Sequence, residues 1–311
     1  MCDNTRTCRA AGYSAEREEL IVSVLLTRRA GASRPVRARV QFAHIDDGAA
    51  QPPSPIPMLI DGRTVGTVTL DHRTATGTLT AAQTSELLAA IVKDKEIAWG
   101  VGFVTWTLST TGANAVLLKM DEFQGRLNTP GALIRKGGRP EREVLPPLFL
   151  PVIQAVKVPA SASASLPTKL KSTLLHDLGR TVNADDCENF DQLASGEAEL
   201  RLHRLTADRL LVSASCWVAP YNRGETYWIV RDRPPFEPIV VVKDATSYAK
   251  GTIIASHKGR GLGDCGSRQK WTWDGQRFIA SAGMSTGMCR LIAPGGAWEM
   301  PTLTTKLRKP R

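Results

Sequence analysis

The sequence predicts a mainly β protein: two β-rich domains, sandwich or barrel-like, each with about one helix and stapled by disulfides. Three observations carry this prediction. Short runs of β-branched and aromatic residues recur along the 311-residue chain, with turn residues between them. Only two stretches pair a helical period with a start or stop signal. Six cysteines fall as three clusters in sequence order, with no CxxC among them.

The strand-like runs of the first part are Leu20–Thr27, Val36–Phe42, Met58–Ile60, Thr67–Leu70, Phe103–Leu108 and Ala115–Met120. Asp61-Gly62 and Thr111-Gly112 supply turns between them, and Ala49–Pro57 reads as a proline-rich loop. One helix belongs here. Thr80-x-x-Gln83 is a capping box, followed by Leu87, Leu88, Ile91 and Val92 at helical spacing. A Pro/Ser/Ala-rich stretch, residues 138–168, reads as a linker, because small alternating residues such as Ser161–Ser165 cannot pack a core. The domains are therefore expected at 1–137 and 169–311, with the boundary near residue 160.

After the linker, Leu170, Leu174 and Leu178 form an i, i+4, i+8 stripe that Gly179 stops. Strands then return as Glu199–Leu205, Arg209–Val218, Tyr227–Val230, Pro238–Val242 and Thr252–Ser256. Trp271–Phe278 reads as a hairpin, with Asp274-Gly275 as a tight two-residue turn.

Composition narrows the function classes. A formal charge of +10 favours anionic partners. The basic residues are nonetheless scattered, apart from the tail Lys306–Arg311, and no basic helix or aromatic-basic interleaving points to nucleic acid. No apolar run reaches the roughly 18 residues of a membrane span. Leu20–Leu26 is strand-length, is preceded by Glu16, Glu18 and Glu19, and has no cleavage site after it, so it is not a signal core. The chain is expected to be a mature, periplasmic or secreted form, with Met1 in place of an excised leader.

The stretch Gly259–Ser267 offers three chemistries at once. Gly261-x-Gly263-x-x-Gly266 has dinucleotide spacing, but a hairpin strand rather than a helix follows it, so no such cofactor is expected. Gly263-Asp-Cys-Gly-Ser267 resembles a nucleophile turn with Cys265 as thiolate. His44 with Asp46 or Asp47, or the adjacent Asp71-His72, could supply the base and its carboxylate, but neither has the helical-turn context of chymotrypsin-like enzymes. The third chemistry is a disulfide. Sequential pairing, Cys2 with Cys8, Cys187 with Cys216 and Cys265 with Cys289, is the simplest arrangement in an oxidising compartment. The glycines then allow the backbone to turn where the bridge draws two segments together.

No metal site is expected. The cysteines have no histidine at zinc spacing, and the acidic run Asp185–Asp191 lacks the ligand alternation and central glycine of a calcium loop. His176, His203 and His257 are isolated. Trp217, Tyr221, Trp228, Lys258 and Arg260 form the candidate binding surface, as rings and cations of the type that engage an anionic partner.

Several motifs together resemble a bacterial exported six-cysteine family, domain of unknown function 1176. They are Cys2–Cys8 leading to Gly12-Tyr13, Leu26–Arg28, Met120–Arg126, Cys216-Trp217 with Tyr221-Asn222, and Lys258–Gly266. Trp273–Gly275, and Gly295–Trp298 with Pro301-Thr302, complete the set. Residues 1–137 also resemble the invasion-associated locus B domain of bacterial envelope proteins. The resemblance implies export to the periplasm and structural cysteines, and it carries over no catalytic residue.

The expectation is a non-catalytic envelope protein that binds another envelope protein or an anionic polymer, with no cofactor. A cysteine hydrolase using Cys265, or an inhibitor of a host or competitor enzyme, are the alternatives.

Overall fold

Period-2 runs become strands wherever one or both faces find apolar cover, and they dominate this chain. The computed structural model describes residues 1–15, 19–43, 51–159 and 166–308, and these are mainly β. His44, Asp46, Asp47, the Ser161–Ser165 stretch and the last residues of the basic tail lie outside the described residues. Two units are present. The first takes Met1–Leu150, Leu262–Gly266 and Met284–Thr304; the second takes Pro151–Gly261, Ser267–Gly283 and the stretch from Thr305. A single boundary near residue 160 does not describe this division, because the later chain returns twice to the first unit.

In the first unit the elements are β1 (Cys8–Tyr13), β2 (Val22–Arg28), β3 (Val36–Phe42), β4 (Ile56–Ile60), β5 (Arg63–Val68), β6 (Leu70–Asp71), β7 (Thr76–Thr78), α1 (Ala81–Val92), β8 (Ile97–Val101), β9 (Val104–Leu108) and α2 (Ala113–Phe123). One sheet has the order β1-β2-β3-β7-β6 and the other β5-β4-β8-β9, with antiparallel neighbours throughout. Both sheets and both helices share a core in which Phe42 meets Trp99 and Trp106 edge-to-face, at 6.2 and 5.5 Å between ring centres. The capping box that starts α1 is complete: Gln83 N donates to Thr80 Oγ1, and Thr80 N donates to Gln83 Oε1.

The second unit contains β10 (Val152–Gln154), α3 (Thr168–Gly179), α4 (Phe190–Ala194), β11 (Arg201–Arg204), β12 (Arg209–Val218), β13 (Arg223–Arg231), β14 (Ile239–Ala245), β15 (Ser247–Ala249) and β16 (Thr252–Lys258). β17 (Gly266–Trp273) and β18 (Phe278–Ser285) run mainly within it. The antiparallel sheet β11-β12-β13-β14 is covered on both faces. Leu210, Val212, Trp228 and Val230 pack with Leu174, Leu175 and Leu178 of α3, while Leu211, Tyr227 and Ile229 pack with Ile253, Trp273 and Phe278. β13 is therefore buried along nearly its whole length, as a central strand between two apolar layers must be. β19 (Met300–Thr304) belongs to the first unit, and β20 (Lys306–Arg308) pairs in parallel with β10 in the second.

Three expectations are corrected. Ala115–Met120 is not a strand but the middle of α2, whose Leu117, Met120 and Asp121 are buried at helical spacing. The Trp271–Phe278 hairpin closes through four residues, Asp274–Arg277, because Asp274 Oδ1 accepts from both Gln276 N and Arg277 N at 2.8 Å. The stretch expected as a bare linker carries a 3-10 turn, Glu141–Glu143, and strand β10.

The disulfides are Cys2–Cys8, Cys187–Cys216 and Cys265–Cys289, and no cysteine is free. Cys265 and Cys289 both lie in the first unit rather than in a C-terminal domain, so that unit holds two bridges and the second holds one. Among the described residues no helix is long and apolar enough to cross a membrane.

Candidate binding surface

At its far end, the β12–β13 hairpin of the second unit turns through Ala219–Asn222, and a register shift between Ser215 and Trp217 precedes that turn. The shift swings Trp217 onto Gly224, its partner across the hairpin; a Cβ there would overlap the indole, so glycine is what lets the ring lie down. On its other side Trp217 stacks with His257 of β16, at 5.7 Å between centres and 28° between planes. His257 Nε2 lies 3.3 Å from Asp244 Oδ1 and from Arg223 O.

Two reciprocal bonds clasp the hairpin to the end of β16. Asn222 Nδ2 donates to Lys258 O and Lys258 N donates to Asn222 Oδ1, each at 2.9 Å. The glycine-rich segment after Lys258 then passes Tyr221, where a Cβ on Gly261 would sit 3.7 Å from the ring. Trp217, Tyr221 and Lys258 are thereby gathered by one turn and one clasp, and Arg260 follows in the segment that passes Tyr221. Tyr221 and Val218 are exposed, at 46% and 70%, and Lys258 and Arg223 are exposed cations. The result is a rim of flat rings and cations, a set suited to holding an anionic or sugar-bearing surface.

Trp228, the fifth residue of the expected surface, is not there. It is fully buried against α3, and its Nε1 donates to Thr181 Oγ1 at 2.8 Å. Its neighbour Tyr227 points into the opposite layer, where burial and then the adjacent Glu225 carboxylate push its hydroxyl well above the usual phenol range.

Around Cys265 the geometry is that of a staple. The sulfur is bonded to Cys289 and nearly buried, so it carries no thiolate. The preceding Asp264 is buried and accepts from Leu291 N at 2.7 Å. Asp264, Cys265 and Cys289 lie close enough to ligate an ion, but two of the three atoms are disulfide sulfurs and unavailable. Gly266 opens strand β17 rather than a helix. Asp71 Oδ1 closes its own turn, accepting from Arg73 N, Thr74 N and Thr74 Oγ1.

A buried polar constellation lies at the end of the Met120–Arg126 motif, outside the expected surface. Arg126, at the end of the Met120–Arg126 segment, is fully buried. Its Nε donates to Gln124 Oε1 at 2.9 Å, and its Nη2 donates to Arg29 O and Gly31 O at 3.2 and 2.7 Å. Gln124 Nε2 in turn donates to Arg6 O and Arg28 O. Asp121 accepts from Leu133 N and Ile134 N, with Arg28 Nη1 at 3.4 Å. Burial raises the Asp121 carboxyl despite these donors, and burial together with the neighbouring Arg126 charge brings Arg28 down to about 10. The network ties the turn after β2 to the end of α2, and its burial makes it architecture. The sequence signal is Asp121 and Arg126 flanking Gln124-Gly125 beside the apolar Met120 and Phe123.

A family model described as "Protein of unknown function (DUF1176)" matches residues 1–305. The chain is also similar to "Uncharacterized protein YpfG" of Escherichia coli (strain K12), with 27% identity over 298 residues, covering 89% of this chain and 82% of that protein. No solved structure matches the chain.

Proposed function

The chain belongs to the DUF1176 family, and we propose that it is a non-catalytic, disulfide-stapled binding protein of an oxidising envelope compartment, with an anionic envelope polymer as its ligand. Three bridges and no free thiol support the compartment, because such bonds persist where thiol reductants are absent. The +10 charge supports the polymer. The observation that carries the binding reading is the grouping of Trp217, Tyr221 and Lys258 by the Asn222–Lys258 clasp, with Arg260 in the segment that follows.

Co-sedimentation with purified lipopolysaccharide and with peptidoglycan, at several salt concentrations, tests this reading. Each cation facing a polyanionic surface is worth about 1 kcal/mol. Lys258→Glu combined with Arg260→Glu is therefore expected to weaken binding at least about tenfold at low salt, with the loss shrinking as salt rises. Binding that is absent from the native protein, or unchanged in the double variant, overturns the proposal.

A further inference from the structure

Edge strand β1 carries small residues where its sheet faces α2. Ala10 pairs with Leu26 and Gly12 pairs with Val24, and all four line one cavity of about 500 Å³ within the first unit. The opposite wall is Ala113, Val116 and Leu117 of α2, with Ile91 of α1 and Leu108 of β9 closing the sides. A strand that placed leucine or valine at positions 10 and 12 would fill this volume. Instead Gly12 leaves Leu108 as its only near neighbour: an added Cβ would sit 3.4 Å from Leu108 Cδ1, an ordinary contact. The floor of this hollow is the core itself: Val24, Leu26, Ile91 and Leu117 are each at most 5% exposed and belong to the apolar cluster of the first unit, so the hollow ends on a wall of packed aliphatic side chains.

The mouth differs from the walls. Val116, at the outer end of the α2 wall, and Met288 are exposed there, at 45% and 54%, and give the entrance an apolar lip. Arg290 also lines the cavity, and its positive charge acts on the nearby hydroxyl of Tyr13, which accepts from Met288 N at 3.0 Å. An apolar bore with one cation at its rim matches a molecule that is apolar along its length and anionic at one end.

We propose that the cavity between β1 and α2 binds the single acyl chain of an anionic amphiphile, with the chain along Leu26, Ile91 and Leu117 and the head beside Arg290. A free fatty acid and an anionic lysophospholipid share this chemistry. The site is separate from the Trp217–Lys258 surface and does not depend on the polymer reading.

Displacement of the fluorescent fatty acid cis-parinarate from the full chain tests the proposal, with dodecanoate, dodecanol and a lauroyl lysophosphatidylglycerol as competitors. Saturable displacement by dodecanoate is expected, with dodecanol at least about fivefold weaker because it lacks the anion. Gly12→Val fills the bore from the strand side and is expected to weaken dodecanoate at least tenfold, the loss of more than one buried methylene. Ala113→Leu fills it from the helix side and gives the same result if Gly12→Val does not fold, with thermal melting reporting folding in each case. Arg290→Gln is expected to erase the preference for dodecanoate over dodecanol. The two anionic competitors decide the source: stronger displacement by the lysophospholipid assigns a lipid, and stronger displacement by dodecanoate assigns a free acid. Absent or non-saturable dodecanoate binding, or filled variants that bind like the native chain, overturns the proposal. An unchanged anion preference in Arg290→Gln overturns the head-group assignment.

Discussion

Asp3 shows how much one buried carboxylate organises at the start of this chain. Its Oδ1 accepts from Thr5 N, Thr5 Oγ1 and Thr7 N, and its Oδ2 takes Arg9 Nη1 at 2.8 Å, inside the loop closed by Cys2 and Cys8. Burial pulls the carboxyl upward, but the Arg9, Thr5 and Thr7 donors outweigh it and hold its pKa below the ordinary value. A depressed native pKa means stability that is fully present above the unfolded value near 4 and is lost as pH falls through the native one. Thermal melting followed from pH 7 to pH 2 is therefore expected to fall in the acid limb, and Asp3→Asn to flatten that limb. At pH 7 the variant is expected to cost about 1.5–3 kcal/mol, the range for hydrogen bonds to a charged group. An acid limb as steep in Asp3→Asn as in the native chain would contradict the assignment. The residue scale is also where the sequence is least legible. Tyr227 and Trp228 are neighbours of similar type, and only the two covered faces of β13 reveal that both are core; Trp217 and Tyr221 reach solvent because a bulge and a turn release them.

At the scale of elements, local chemistry was readable where it was self-contained. The capping box of α1 and the Leu170–Leu178 stripe of α3 need only their own side chains to specify a helix: α1 starts at its box, while α3 runs through Gly179, expected as its stop, and is capped by Arg180. α2 replaces the strand expected at Ala115–Met120, because Val116-Leu117-Leu118 has the look of an apolar strand run. The full segment Ala113–Phe123 is rich in Ala, Leu, Lys, Met and Glu, which favour helix, and its buried residues fall at i, i+3 and i+4. What fixes the end of α2 is long-range: the Arg126–Gln124 pair holds the carbonyls of Arg28, at the end of β2, and of Arg29 and Gly31 in the β2–β3 connection. Arg126→Met strips the donors from those buried carbonyls and from Gln124 Oε1. It is expected to cost about 3–5 kcal/mol in urea unfolding, as when one partner of a buried charged pair is removed. A loss below about 1 kcal/mol, the scale of an exposed pair, would show the network to be solvated instead.

At the scale of the molecule, the mainly β class and the three bridges were legible because strand runs and cysteine order are properties of the whole sequence. The division into units was not, because it depends on where distant segments pack. Residues 284–304 serve the first unit: Trp298 is buried with Leu25 and Met300, its Nε1 donates to Ser23 Oγ at 2.7 Å, and Thr304 N donates to Asn4 Oδ1. A chain ended at residue 160 therefore loses Trp298, Met300 and the Met288–Tyr13 bond. It is expected to melt well below the native first unit, by several degrees for each kcal/mol removed. Native-like cooperative melting of residues 1–160 would contradict this division.

The central claim is that the cysteines staple a binding protein rather than arm an enzyme. Alkylation of the native protein without reductant, followed by peptide mapping, tests it most directly. The account predicts no labelled cysteine and three bridged peptides, Cys2–Cys8, Cys187–Cys216 and Cys265–Cys289. Alkylation of Cys265 in the unreduced protein would contradict it.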